Sequence, residues 1–181
     1  MNLPNKFTIL RIALIPLLVV LMYQDNAFCY YLSILVFAVA AFTDFLDGHI
    51  ARKHHIVTDF GKFLDPVADK LLVLSTMMML CQQDLLGTFV VIIILARELL
   101  VDGLRMIAVG KGQVIAAGKL GKLKTVSQII LILWLMVLRV PVGRNAPGII
   151  TLLMVAWVVI ITVWSGVDYF VKNGRFLLDS K

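Results

Sequence analysis

Long apolar runs alternate with shorter polar connections along the whole chain. Six of these runs are rich in Leu, Ile, Val, Phe and Met, and about 20 apolar residues in a helix span the hydrocarbon core of a bilayer. We therefore predict six transmembrane helices, near residues 7–23, 30–47, 65–81, 87–108, 125–140 and 148–167. The pattern predicts an all-α integral membrane protein.

Composition points to the same class of protein. Of the 181 residues, 61% are hydrophobic and only 15% are charged, whereas soluble domains carry about 25% charged residues. So few charges could not cover a water-exposed globule, and a soluble protein is therefore excluded. The length fits a single membrane-embedded domain over residues 1–181, and we expect no nucleic-acid partner.

Basic residues are distributed unevenly among the connections between these helices. Of the 17 Lys and Arg residues, only Arg139 and Arg144 fall on the first, third or fifth connection. The second and fourth connections, Gly48–Leu64 and Val109–Lys124, are longer and richer in Lys and Arg. Because cytoplasmic segments accumulate Lys and Arg, both termini and these two loops are predicted to be cytoplasmic.

The segment 43–70 places four acidic residues at or near the cytoplasmic ends of the second and third helices. Asp44 and Asp47 are three residues apart, and Asp65 and Asp69 are four apart. At these spacings two side chains share one helix face. If the two helices pack antiparallel, both pairs converge on one pocket at the membrane surface.

Four carboxylates in one low-dielectric pocket require compensating positive charge. They cannot all stay ionised without it, and ionisable residues within a membrane are costly and usually mark function. Clustered carboxylates suit hard divalent cations such as Mg²⁺, Mn²⁺ or Ca²⁺. The sequence therefore predicts a divalent-metal site.

Single members of this cluster could have simpler roles. Asp65 is followed by Pro66, so it could be a helix N-cap with proline at the first helical position. Arg52 or Lys62 could pair with the acids in a structural ion network. Neither role accounts for Asp69 one turn deeper, or for the pair on the other helix.

Glycines at fixed distances from the acids make the pattern more specific, because glycine allows a ligand to approach the backbone closely. The segment reads Asp44-x-x-Asp47-Gly48-x-x-Ala51-Arg52, then eight residues, then Gly61-x-x-x-Asp65-x-x-x-Asp69. This resembles the signature of the CDP-alcohol phosphatidyltransferase family at all eight defining positions. The resemblance implies a CDP-alcohol phosphotransferase-type fold of six membrane helices, usually as a homodimer.

The resemblance also implies roles for individual residues. In the family the first three motif aspartates bind metal, which here are Asp44, Asp47 and Asp65, and Asp69 completes the metal site or acts as the general base. The expected cofactor is Mg²⁺ or Mn²⁺, two ions per active site. The residues expected to line or frame the CDP site are Gly48, Ala51, Arg52, Gly61, Asn5 and Thr8. Asn5 and Thr8, with Arg11, could instead only anchor the first helix.

The remaining polar residues bear on the acceptor alcohol. The fourth helix carries Arg97, Glu98, Asp102 and Arg105, and the segment GKLGKLKT at 118–125 follows it. An excess of fixed cations suits an acceptor that itself carries a phosphate. Two alternatives stay open: Arg97 and Glu98 could be an ion pair that bridges helices, and the lysines could only obey the positive-inside rule.

Flanking motifs resemble the phosphatidylglycerophosphate synthase branch of the family. They are DFGKFLDPVADK, ARELLVDGLRMIA and GKLGKLKT, in that order. The resemblance implies CDP-diacylglycerol as donor and sn-glycerol 3-phosphate as acceptor, in a single displacement without a covalent intermediate. The residues then expected to bind the acceptor phosphate are Arg97, Arg105, Lys119, Lys122 and Lys124.

Two alternative functions stay open, and each predicts a different behaviour. A sister enzyme of cardiolipin or phosphatidylinositol-phosphate synthesis would use another alcohol, and a divalent-cation transporter would use the same acids without chemistry. The compact chain favours a bacterial inner membrane, with membrane lipids around it and the active site on the cytoplasmic side. Cys29 and Cys81 both fall near the outer face, where they could form a disulfide, but we expect two free thiols with the character of small hydrophobes.

Overall fold

The computed structural model describes residues 3–24, 26–54, 59–111, 115, 118–139 and 148–174. Within these ranges the side chains of 3–7, 44–54 and 59–66 lie outside the description. The described chain forms six helices: α1 Leu3–Tyr23, α2 Ala27–His54, α3 Asp59–Gln82, α4 Thr88–Gly110, α5 Lys119–Arg139 and α6 Ile149–Asn173. Each predicted segment corresponds to one of them, so the all-α prediction is confirmed.

All six helices are longer than the sequence predicted, and the connections after α2 and α4 are correspondingly shorter. The prediction of a loop over Gly48–Leu64 was wrong, because α2 continues to His54 and α3 already begins at Asp59. The prediction of a loop over Val109–Lys124 was wrong at its end, because α5 begins at Lys119. The apolar runs end before the helices do, since polar and glycine residues within a helix cost at most about 1 kcal/mol each.

Two described helices are individually long and apolar enough to cross a bilayer, namely α5 and α6. The apolar stretches Thr8–Tyr23 and Ala27–Thr43 are shorter. Helix α4 is interrupted by four charged residues in its middle and second half. The helices therefore agree with a membrane protein in which some helices are continuously apolar and others, such as α4, carry several charged residues.

Helix α6 exposes a broad apolar surface. Ile149 and Val171, near its two ends, are 75% and 80% exposed, and Trp164 between them is 64% exposed. Further exposed apolar residues of α6 are Ile150, Leu152, Leu153, Trp157, Ile160, Val163 and Val167. Such a continuous apolar face is unfavourable in water and suits contact with lipid chains.

The chain divides into two compact units. Unit 1 contains residues 1–85 and 132–145, and unit 2 contains residues 86–131 and 146–181. In unit 1, α1 packs against α2 and α3, and α2 packs against α3. Its core includes Leu18, Phe37, Leu72, Met77 and Leu80, all at most 2% exposed. The single-domain assignment for 1–181 stays a prediction.

A polar network in unit 1 links the ends of several helices. The Tyr30 hydroxyl donates a hydrogen bond to Gln83 Oε1 at 2.9 Å, and Gln83 Nε2 donates to the backbone carbonyl of Met22 at 2.9 Å. The guanidinium of Arg139 lies over the Tyr30 ring, 5.6 Å from its centroid. These contacts join α1, α2, the turn that follows α3 and the end of α5. We call these four residues the Tyr30 network.

Helix α3 ends in a capping motif whose key residue is not glycine. Asp84 has φ of 59°, in the left-handed region. The backbone N–H of Leu85 donates to Leu80 O at 3.0 Å, and that of Asp84 donates to Cys81 O at 3.1 Å. This is the Schellman arrangement, in which glycine normally occupies the left-handed position.

Unit 2 is built from α4, the first half of α5 and α6. Helices α4 and α6 pack together around a core of Val101, Leu104, Ala108 and Tyr169. Where α6 meets α5, Trp157 Nε1 donates a hydrogen bond to Ser127 Oγ at 3.2 Å. Unit 2 therefore holds the charged residues of α4 and the lysines at the start of α5 on one packed scaffold.

Cys29 and Cys81 are both partly buried, and the structure does not join them in a disulfide. That both remain thiols stays a prediction.

Candidate active site

The four aspartates of the predicted metal site occupy two helices that pack together. Asp44 and Asp47 lie in the second half of α2, and Asp65 and Asp69 lie in the first half of α3. Of the four side chains only Asp69 is described, and it is partly buried. That the four carboxylates meet in one cluster stays a prediction.

Most of the other signature positions also lie where side chains are not described. The structure shows helical backbone at each of them, since all belong to α1, α2 or α3. The predicted site residues whose side chains lie outside the described part are Asn5, Asp44, Asp47, Gly48, Ala51, Arg52, Gly61 and Asp65. Their roles stay predictions.

Carboxylate chemistry decides which metal these residues fit. The predicted donors are all carboxylate oxygens, which hard ions such as Mg²⁺ and Mn²⁺ prefer. Spacings of three and four residues on helical backbone allow each pair to share a face. Among residues with described side chains, no group of three or more His, Cys, Asp or Glu forms a metal site. The donor set fits a divalent ion, and its geometry stays a prediction.

Thr8 and Arg11 lie on α1 within the packed interior of unit 1. They are 3% and 2% exposed, respectively, and they are three residues apart, so they share one face of the helix. Burial of a charged guanidinium requires polar partners. The predicted contribution of Thr8 to the nucleotide site, and the alternative that both residues anchor α1, remain open.

The predicted acceptor residues Arg97 and Lys124 come together on one carboxylate. Arg97 Nη1 lies 3.3 Å from Glu98 Oε1, and Lys124 Nζ from α5 donates to the same oxygen. The three side chains are between 5% and 13% exposed. The ion pair considered from the sequence therefore exists, and it is Lys124 that makes it bridge α4 and α5. We call these three residues the Glu98 cluster.

Two glycines lie against the side chain of Arg97. A Cβ atom placed on Gly166 of α6 would come within 3.1 Å of Arg97 Cγ, and one on Gly121 of α5 would lie 3.8 Å from Nη2. The first distance is shorter than an ordinary van der Waals contact. Arg97 therefore passes close to both neighbouring helices, and Gly166 leaves the room that its aliphatic stem occupies.

Arg105 lies on α4 about two helical turns beyond Glu98. Its Nε donates a hydrogen bond to the Tyr169 hydroxyl at 3.1 Å, and its guanidinium lies 5.5 Å from the centre of the same ring. Arginine stacks on aromatic faces while keeping other donors available. Its predicted role in binding the acceptor phosphate stays a prediction.

Lys119 and Lys122 are exposed at the start of α5. The described contacts do not bring their side chains into the Glu98 cluster. Cations at the N-terminal end of a helix are disfavoured by its dipole, by about 0.3–1 kcal/mol each. The placement therefore costs some stability, and the predicted role of both lysines in binding the acceptor phosphate stays a prediction.

The sequence did not predict that two glycines lie against Arg97. It also did not predict that Arg97 and Lys124 share the carboxylate of Glu98. The only available signal was an isolated glycine in each of two apolar or basic helices, Gly166 and Gly121. A glycine inside a helix costs stability, and its presence there often has a packing reason. Which side chain it accommodates cannot be read from the spacing along one helix.

Comparison with known proteins settles the family. The model of the CDP-alcohol phosphatidyltransferase family matches residues 1–167. The chain belongs to this family. The resemblance read from the eight signature residues is therefore confirmed, and the family is membrane-bound and generally dependent on divalent metal.

Three curated relatives in this phosphatidyltransferase family match the chain almost end to end. All three are named CDP-diacylglycerol–glycerol-3-phosphate 3-phosphatidyltransferase. The protein of Bacillus subtilis is 41% identical over 99% of this chain and 98% of its own length. The protein of Rickettsia typhi is 40% identical over 93% and 95%. That of Salmonella choleraesuis is 36% identical over 98% of both.

Proposed function

We propose that this phosphatidyltransferase transfers the phosphatidyl group of CDP-diacylglycerol to sn-glycerol 3-phosphate. The products are phosphatidylglycerophosphate and CMP. The observation that carries this proposal is the similarity to three relatives named for this activity, which are 36–41% identical over nearly the full length of the chain. The basic side chains on α4 and α5 support it, because an acceptor with a phosphate needs fixed cations.

The reaction is a single displacement at phosphorus. The primary hydroxyl oxygen of glycerol 3-phosphate forms a new bond to the phosphatidyl phosphorus, and the bond from that phosphorus to the CMP oxygen breaks. The hydroxyl proton passes to a carboxylate, which we assign to Asp69, the motif aspartate deepest in α3. Positioning and charge stabilisation supply most of the catalysis in such phosphoryl transfers.

Asp44, Asp47 and Asp65 would hold the divalent metal, which we propose to be two Mg²⁺ or Mn²⁺ ions; if Asp69 completes the metal site instead, another group must take the proton. When bound, these ions would neutralise the pyrophosphate and the departing CMP. The residues that would line the CDP pocket are Gly48, Ala51, Arg52, Gly61, Asn5 and Thr8. The two glycines would let the nucleotide approach the backbone.

Arg97, Arg105, Lys119, Lys122 and Lys124 would recognise the phosphate of the acceptor. Arg97 and Lys124 are nearly buried, and together with Glu98 they carry one net positive charge. A buried excess charge is unfavourable unless an anion compensates it. Arg97 and Lys124 attract a phosphate more strongly than a neutral polyol or a zwitterionic amine, so their placement supports a phosphorylated acceptor.

The proposed topology places all six helices across the inner membrane of a bacterium. Both termini and the active site would then face the cytoplasm, where glycerol 3-phosphate is available, and the protein would act as a homodimer among membrane lipids. The uneven distribution of Lys and Arg supports this orientation.

The experiment follows CMP release from CDP-diacylglycerol by detergent-purified protein. The acceptors are glycerol 3-phosphate, glycerol, serine, inositol, inositol phosphate and phosphatidylglycerol, each with Mg²⁺ or Mn²⁺. We expect turnover only with glycerol 3-phosphate, and none after chelation. Turnover with another alcohol would assign the chain to a sister reaction. Absence of turnover with every acceptor, in folded protein with metal, would favour a transport function.

A further inference from the structure

In the Glu98 cluster two cations from two helices share a single carboxylate oxygen. Glu98 Oε1 accepts from both Arg97 and Lys124, and all three side chains are largely buried. Two cations and one anion leave a net charge of +1 in a low-dielectric setting. Such clusters are unfavourable by themselves unless further hydrogen bonds or an opposite charge complete them.

Arg97 retains hydrogen-bonding capacity that its described contacts do not use. A guanidinium has five N–H donors in a fixed fork, and Nη1 is directed to Glu98. Arg97 Nε is buried without a hydrogen-bond partner among the described residues. A buried donor of this kind costs free energy until a ligand or water satisfies it.

The conformation of Arg97 is restricted from two sides. Glu98 holds one end of the guanidinium, and Gly166 lies so close to the stem that even a methyl group there would press on Cγ at 3.1 Å. Long charged side chains lose considerable rotamer entropy when a ligand orders them. A side chain already ordered by its neighbours avoids that loss, which improves binding.

We propose that Glu98 is a positioning residue for the acceptor. It binds Arg97 and Lys124 through one oxygen, so that both cations are already in place to bind the phosphate of the acceptor. Gly166 provides the space that the Arg97 side chain needs. This inference rests on the proposed function and deepens it. Glu98 itself repels a phosphate and does not touch it. Its effect on the acceptor is exerted through the two cations.

The direction in which the KM for glycerol 3-phosphate changes on mutation of Glu98 distinguishes a positioning role from simple charge attraction. Replacing Glu98 by glutamine raises the net charge of the cluster from +1 to +2. If only charge mattered, the variant would bind the phosphate more tightly and the KM for glycerol 3-phosphate would fall. If position matters, the cations lose their common anchor and the KM rises.

The first test measures the kinetics of Glu98→Gln in the full-length protein. We expect the KM for glycerol 3-phosphate to rise about tenfold, the size of a lost charge-assisted hydrogen bond. The KM for CDP-diacylglycerol and the kcat at saturating acceptor should each change less than about threefold. An unchanged or lower KM for glycerol 3-phosphate would overturn the proposal.

The matched control is Asp168→Asn, which also converts an acid to its amide in unit 2. Asp168 pairs with Lys172 one turn along α6, 2.7 Å from its Nζ, and the lysine side chain is 67% exposed. An exposed pair contributes little, so this variant should keep both KM values. A rise of the acceptor KM in the control as well would overturn the specific role of Glu98.

The second test reduces the space beside the Arg97 side chain without changing any charge. Gly166→Ala should displace the arginine stem and raise the KM for glycerol 3-phosphate several-fold, whereas Gly103→Ala, whose Cβ would meet nothing within 4 Å, should not. Because Gly166→Ala leaves every charge in place, it tests whether the position of Arg97 controls use of the acceptor even if Glu98→Gln does not fold. Equal acceptor KM values for Gly166→Ala and wild type would contradict the proposal.

The wild-type protein separates failure of this inference from failure of the proposed function. If wild type releases CMP with glycerol 3-phosphate but the Glu98 and Gly166 variants behave like it, only the positioning role is wrong. If wild type requires an acceptor without a phosphate, the proposed function is wrong and the positioning role falls with it.

Discussion

The Tyr30 network in unit 1 and the Glu98 cluster in unit 2 both place an arginine among packed helices, but they are constructed differently. In the Tyr30 network, the hydroxyl donates to a neutral amide and the amide donates to a backbone carbonyl, while Arg139 lies over an aromatic ring. In the Glu98 cluster, two cations share one carboxylate oxygen.

This difference indicates different roles for the two arrangements. The hydrogen bonds from Tyr30 to Gln83 and from Gln83 to the backbone are made within the protein, so their free energy contributes to folding. In the Glu98 cluster two cations are held on one carboxylate and can also bind an anion, so we expect part of their free energy to be realised on binding of the acceptor. We therefore expect the Tyr30 network to determine stability and the Glu98 cluster to determine the use of the acceptor.

The largest expected effect lies in unit 2. Arg97→Ala should lower kcat/KM for glycerol 3-phosphate by about 100-fold, because it removes charge-assisted hydrogen bonds worth about 1.5–3 kcal/mol to the acceptor. Steady-state CMP release at varied acceptor measures this. Arg139→Ala in unit 1 is the matched control and should change kcat/KM less than about threefold. Similar losses in both variants would remove the distinction between the two arginines.

The second prediction concerns the centre of the Tyr30 network. Gln83→Ala removes both the acceptor for Tyr30 and the donor to Met22, so it should lower the free energy of unfolding by about 2 kcal/mol. Thermal unfolding in detergent measures the change, and kcat and both KM values should stay close to wild type at a temperature where the variant is folded. A raised acceptor KM in this variant would mean that unit 1 also tunes the acceptor.

A smaller loss is expected for Tyr30→Phe. The phenylalanine keeps the ring under Arg139 and removes only the hydroxyl that donates to Gln83, so the variant should lose about 1 kcal/mol of stability. The same thermal unfolding measurement compares it with Gln83→Ala. A larger loss in Tyr30→Phe than in Gln83→Ala would show that the hydroxyl has a more important partner than the glutamine.

The smallest expected effect is a gain in stability. Asp84 adopts a left-handed conformation that glycine adopts at lower cost, by about 1 kcal/mol. Asp84→Gly should therefore raise the midpoint of thermal unfolding slightly and leave CMP release unchanged. The conservative comparison is Asp84→Ala, which cannot relieve the strain and should not stabilise. Equal stability of the two variants would show that backbone strain at this position is negligible.

Much of the fold could be predicted because each prediction depended on local sequence. The six apolar runs identified six helices, and the spacing from Asp44 to Asp69 identified the family, since a helix repeats its faces at a known interval. The predicted ends of α2, α3 and α5 were wrong for the same reason. Hydrophobicity reports where a helix is buried, and the helical backbone continues into the polar segments at His54, Asp59 and Lys119.

The candidate site could be predicted only in part. The basic residues were selected by type and by their position on α4 and α5, and Arg97 could be either an ion-pair partner or a phosphate ligand. The structure shows that Arg97 is paired and that Lys124 shares the same carboxylate. The sequence could not show this, because Glu98 and Lys124 lie on different helices and 26 residues apart.

The sequence by itself determined the class of the protein, its family and the residue types that carry the chemistry. Those properties follow from composition and from spacing within one helix, where geometry is the same in every protein. Only the tertiary structure decided that Glu98 serves two cations and that Gly166 makes room for Arg97. Packing brings distant residues within hydrogen-bond distance, and a contact between helices depends on how each helix is rotated and how far it extends.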